Sequence, residues 1–263
     1  MNSRGLIDRR STRLVVGALA FAAALTVWQV VGEAGSVAFL VPFSDAATAM
    51  WDLLSGDGLR EDVLPSAARA LAGFGLGAAV GIAAGLLLGY FRRLDPWVRP
   101  LLEFMRATPI PAILPVAILA LGATSATRVF LIALGCLWPV LLSALDGSRA
   151  VDPRNIEAAR VAGLSDGQIL RRVVWPASLP AIFTGLRLGL ALSLIMMVIS
   201  EMIASNSGLG YFILQAQRSF AMPDMFGGVL VLGLLGGAFT LVFTLVERRV
   251  LGWYLQQKGL HDA

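Results

Sequence analysis

One histidine, one lysine and one cysteine are all that 263 residues offer of three residue types on which much protein chemistry rests. Each scarcity excludes something. Cys136 stands alone in an apolar run, so neither a disulfide framework nor a cysteine-rich metal site can form. Lys258 lies in "QQKGL", so the chain carries no GxxxxGK[ST] phosphate loop and does not bind ATP by that route. His261, third from the C-terminus, cannot anchor a Ser/His/Asp triad or a zinc site within apolar segments, which argues against hydrolase chemistry. Charge is scarce too: 14% of residues are charged while 57% are hydrophobic, and the mean hydropathy is +0.77. That balance lies outside the soluble class and predicts an all-α, polytopic membrane protein.

A span needs about 20 mostly apolar residues. The pattern predicts a short N-terminal segment, 1–13, and one membrane domain, 14–263, with spans at about 14–31, 70–91, 102–123, 129–145, 181–204 and 225–246. The third is the least regular, because "PIPAILPVAILALGA" carries Pro109, Pro111 and Pro115 and reads as a kinked span or a re-entrant piece. Charge decides for six. With the N-terminus inside, six spans place sixteen basic residues on the inner side and leave Arg60, Arg128 and Arg218 outside, whereas five spans divide them almost evenly. Both termini are then cytoplasmic. The first apolar run reads as an uncleaved span rather than a secretory signal, given its length and the spans that follow. The acidic stretch 33–65 falls outside, where "SDAATAMWDLL" predicts a short amphipathic helix at the interface or a docking surface.

Five glycines, Gly73, Gly77, Gly81, Gly85 and Gly89, recur every fourth residue of the second span and so share one helix face, a seam for close packing. Three ionisable residues lie within spans, where charge is costly and marks candidate pathway groups: Arg69, Arg187 and Glu201. Arg69 and Glu201 both fall at the outer end of their spans, which predicts that they pair. Arg187 is 14 residues from Glu201, roughly 21 Å along a helix, so these two cannot meet. Arg187 is expected to snorkel to the inner head groups or to help gate the inner mouth. "ASNSGLGYFI" (204–213) reads as a periplasmic gate or docking lip, or as a plain interfacial turn.

The polar island 146–180 is the most informative stretch. Asp152 is a good N-cap before Pro153, "RNIEAARVA" favours helix, and Gly163 suits a left-handed C′ position. Ser165 with Gln168 predicts a capping box for a second helix, which Pro176 and Pro180 are expected to stop, re-aiming the chain into the fifth span. Helix, glycine turn, helix on the inner face is either a grip for a soluble partner or an amphipathic loop on lipid. Ala158, Ala159 and Ala162 would offer the close-approach face and Glu157 a charge for orientation. A DNA-binding reading is poor, because the motif is tied to spans at both ends, so no nucleic-acid partner is expected.

"EAARVAGLSDGQILRRVVWP" resembles the loop signature of ABC-importer permeases, with Glu157, Ala158, Ala159, Gly163, Val173, Trp175 and Pro176 on the signature positions. Val173 and Trp175 depart from the usual Ile and Leu but stay apolar. "ASLPAIFTGLRLGLALSLIMMVISEMIASNSGLGYFI" and "SAARALAGFGLGAAVGIAAGLLLG" are similar to the branch that imports nitrate, taurine and aliphatic sulfonates. The resemblance covers about 44–255 and implies a type I importer permease of the bacterial inner membrane, working as a dimer. It implies that the coupling residues Glu157, Ala158, Ala159, Gly163, Leu164 and Pro176 seat in a cleft on one of two cytoplasmic ATPase subunits, and that a periplasmic or lipoprotein binding protein delivers the solute. This chain would then bind no metal or cofactor, with ATP and Mg on the ATPase, and its other contacts would be membrane lipid. A secondary transporter would show internal repeats and mid-membrane charges, and an intramembrane enzyme would need a nucleophile and base that this sequence lacks.

Overall fold

The computed structural model describes residues 4–252 and 254; Lys258 and His261 lie outside them. The described residues form eleven α-helices and no strand: α1 Arg4–Glu33, α2 Phe43–Ser55, α3 Leu64–Tyr90, α4 Asp95–Ala107, α5 Ile110–Leu121, α6 Ser125–Arg149, α7 Pro153–Val161, α8 Asp166–Ile169, α9 Trp175–Ala204, α10 Leu209–Arg218 and α11 Met222–Val250. Five helical segments are long and apolar enough to cross a membrane, or six if α4 and α5 together make one broken span.

The third span expected at 102–123, read as kinked or re-entrant, is two helices, α4 and α5, that meet at an 89° bend. Pro109 disfavours helical geometry at the residue before it, and Thr108 is accordingly extended, with ψ at 120°. α5 has 12 residues, about 18 Å, and is too short to cross by itself. α4 is amphipathic, with Trp97 fully outward.

The chain divides into two compact units. One comprises the residues up to Leu59 together with Phe212–Leu232. Within it Trp28 donates from Nε1 to the Val41 carbonyl at 3.0 Å, and its ring packs edge-on to Phe43 and against Phe226.

The other unit, from Arg60 to Tyr211 and from Gly233 onward, is built on α3, α6 and α9. All five seam glycines of α3 are buried against α6. A Cβ at any of them would come closer than 3.0 Å to Ile132, Ala133, Leu137, Leu141 or Ser148, so the two backbones touch along five turns. Gly185 and Gly189 of α9 meet an adjoining face of α6 at Ser143, Pro139, Val140 and Cys136. Leu131, Ile132, Cys136, Val140 and Ala144 fill the α6 core between them.

Pro176 and Pro180 do not break the chain as expected. Helix runs without interruption from Asp166 to Ala204, 39 residues or about 58 Å. Pro176 lacks an N–H, and its ring would strike the carbonyl four residues earlier in a regular helix. The chain avoids that by one wide π-type turn over Leu170–Val174, which loosens the ladder just ahead of the proline. Leu59–Val63 makes the same turn ahead of Pro65 at the start of α3. Pro180 sits inside α9 without ending it.

Candidate functional site

Two polar constructions stand at opposite ends of the α3/α6/α9 unit. The first is the helical handle between α6 and α9. Asp152 caps α7 by accepting from the Arg154 N–H at 2.8 Å. α7 ends in a Schellman arrangement: the Leu164 N–H donates to Ala159 O and the Gly163 N–H to Arg160 O, at 3.1 and 2.9 Å. Gly163 has φ +80°, a conformation open to glycine at little cost. Ser165 and Gln168 form a reciprocal capping box at the start of α8.

The handle is not a free loop. Ile156, Ala159, Leu164 and Ile169 pack with Leu86, Ala144, Val151, Val174 and Ile182 in one apolar cluster. The predicted contact residues therefore divide. Glu157, Ala158 and Gly163 are exposed, whereas Ala159, Leu164 and Pro176 are half-buried and turned toward the core. The exposed apolar tip is Ala158, Val161 and Ala162, with Val161 90% exposed. Val161 went unnoticed in the sequence because it reads as an ordinary helix residue; its position in the last turn of a charged, apolar-poor helix was the available signal.

The second construction is a buried charge cluster. Glu201, with no exposed surface, receives Arg69 Nη1 at 2.7 Å, Ser66 Oγ at 2.7 Å and the Gly210 N–H at 3.1 Å. Arg69 also donates to Ser207 O and Ser207 Oγ, both at 3.1 Å. Ser66 Oγ accepts from the Leu209 N–H at 2.8 Å, and Asp62 accepts from the Gly208 N–H at 2.7 Å. The segment 205–210 is thus tied down by groups from the start of α3 and the end of α9. A buried carboxylate is tolerable here because an opposite charge and two further donors satisfy it.

Arg128, counted above as an outside loop residue, belongs to the first turn of α6 and is 7% exposed. Its guanidinium donates to Ala204 O, at the C-terminal end of α9, and to Ser125 Oγ. A cation there complements the helix dipole. Arg187 is not left to head groups alone: it pairs with Glu247 of α11. That partner was hidden in the sequence because Glu247 sits beside Arg248 and Arg249 in a stretch that reads as a basic tail.

Residues 77–252 match the family described as the binding-protein-dependent transport system inner membrane component. The chain belongs to this family of ABC-importer permeases. The Bacillus subtilis (strain 168) protein named for aliphatic sulfonates transport, the permease SsuC, is 33% identical over 92% of this chain and 89% of its own length. The nitrate import permease NrtB of Synechocystis sp. is 31% identical over 86% of this chain and 85% of its own. Among solved structures, a chain of the inward-facing MetNI methionine ABC transporter superposes with a TM-score of 0.62 at 20% identity, covering 73% of this chain and 95% of that one. That likeness shows the fold: an all-α, multi-pass importer permease of type I.

A permease of this family is a transport subunit, not itself an enzyme, and works with an ATPase and a solute-binding protein. The matched region holds the handle, Arg128, Arg187 and Glu201 of this permease; Arg69 and Ser66, which complete the buried cluster, precede it.

Proposed function

We propose that this permease carries a small oxyanion of the sulfonate or nitrate kind inward across the cytoplasmic membrane, with both termini on the cytoplasmic side. It pairs with a second copy of itself within the lipid bilayer. Each handle seats its Ala158, Val161 and Ala162 tip in a cleft on one of two ATPase subunits, which hold the ATP and Mg while this chain holds no cofactor. Glu157 and Gly163 orient and shape that tip; Ala159, Leu164 and Pro176 hold it on the core. A periplasmic or lipoprotein binding protein delivers the solute on the other face.

The observation that carries this reading is the handle's attachment. The handle's second helix and the span together form one continuous helical run about 58 Å long, against a hydrocarbon core of about 30 Å. A push on the handle is therefore delivered along a continuous helical run into the membrane. The relatives that transport sulfonates and nitrate support the choice of an anionic solute.

The test is reconstitution in vesicles with the ATPase and binding protein, supplying taurine and nitrate in turn. Uptake should require ATP. Glu157→Arg should release the ATPase, and Gly163→Pro, which forbids the observed φ, should do the same. Uptake driven by an ion gradient with no ATPase present would overturn the reading.

A further inference from the structure

The covalent routes from the handle into the membrane run through α6 and α9, yet the handle is also tied to α3. Tyr90, the last residue of α3, donates from its hydroxyl to Asp166 Oδ1 at 2.6 Å. The Tyr90 hydroxyl oxygen accepts from Arg160 Nη2 at 3.4 Å, and Arg160 Nη2 approaches Asp166 Oδ1 to 3.6 Å. Asp166 opens α8 and Arg160 lies in the last turn of α7. One phenol oxygen thus joins both handle helices to a third helix that is 70 residues or more away in the chain.

The surroundings favour a mechanical role. The Tyr90 ring stands edge-on to Phe91, with centroids 5.0 Å apart, and packs on the apolar cluster beneath the handle. A few residues on, Arg92 Nη2 donates to Arg149 O at 3.0 Å, at the foot of the handle. α3 is locked to α6 along its whole glycine seam. Movement at Tyr90 is therefore passed to the α3/α6 pair and not absorbed locally.

Resting on the handle reading given above, we infer that Tyr90 is a positioning residue that couples the handle to α3, so that ATPase-driven movement reaches α3 directly as well as α6 and α9. Tyr90 itself touches neither solute nor nucleotide. Its hydroxyl sets where the tip points relative to the α3/α6 pair. Asp166 is its principal acceptor, and Arg160 keeps Asp166 and the phenol in register.

Tyr90→Phe removes the hydroxyl and keeps the ring, so packing and folding are retained. In the assembled transporter in nanodiscs and vesicles, with taurine and nitrate supplied, ATPase retention and melting temperature should match the unaltered protein. The ATP hydrolysed per solute moved should rise about threefold to tenfold, the scale of one solvent-exposed net hydrogen bond. Asp166→Ala, which removes the acceptor, should do the same, and the double variant should be no worse than either single change. Spin labels at positions 93 and 154, in a Cys136→Ser background, with labelled protomers diluted by unlabelled ones, should give one narrow intra-protomer distance in each nucleotide state and a broadened one in Tyr90→Phe. An unchanged ratio together with an unchanged distance distribution would overturn the link. The underlying handle reading fails separately, if Glu157→Arg leaves both ATPase retention and transport intact.

Discussion

Gly208 lies face to face with the carboxylate of Glu201: a side chain on Gly208 would begin 2.5 Å from the Glu201 Cδ. The glycine also has φ +117° and donates its N–H to Asp62. The absence of a Cβ, the unusual backbone angle and the buried charge are thus one arrangement. Gly208→Ala should be unable to close segment 205–210 over Glu201. We expect a fall in melting temperature of the detergent-solubilised permease and a loss of transport. Gly167→Ala, where nothing lies within 4 Å, should be silent in both assays.

Arg69 and Glu201 should behave as one unit. Removing either leaves the other charged and buried, a change that costs about 3–5 kcal/mol for buried pairs. Arg69→Ala and Glu201→Ala should each destabilise strongly, while the double substitution should cost clearly less than their sum. Chemical or thermal unfolding of the four proteins, with transport measured in parallel, checks this. Strictly additive losses would dismiss the coupling.

The glycine seam makes a positional prediction. Gly81→Val and Gly85→Val should force α3 and α6 apart, because a Cβ there already meets the Leu137 and Leu141 backbones. Overpacking of this kind costs about 1–3 kcal/mol or more, and the yield of monodisperse protein should drop sharply. Gly75→Val, on the same helix with nothing within 4 Å, should leave yield unchanged. If the two faces respond alike, the seam is not what holds α3 to α6.

Much of this was legible in the chain before it folded. The every-fourth-residue glycines named a helix face, since a 3.6-residue period leaves them no other arrangement. The caps at Asp152, Gly163 and Ser165 are written in the sequence because they are local, each joining residues at most a few positions apart. Arg69 and Glu201 could be matched by depth, because both fall at the same end of their spans. The prolines misled: Pro176 and Pro180 carry the ordinary signal for a break, and the wide turn that lets helix pass Pro176 leaves no mark in composition. Thr108 and Pro109 carried a comparable signal and there the break is real, with no wide turn ahead of the proline to relieve it.

By itself, the sequence determined the membrane class, the seam, the handle's three caps and the family. These follow from composition and from interactions within one or two helical turns. Only the tertiary structure decided that Arg187 answers to Glu247, that Arg128 caps the end of α9, that Ala159 faces inward while Val161 faces out, and that Tyr90 reaches the handle. Each of those depends on the rotation of one packed helix against another, a quantity set by how side chains interlock across α3, α6 and α9 and carried by no local pattern.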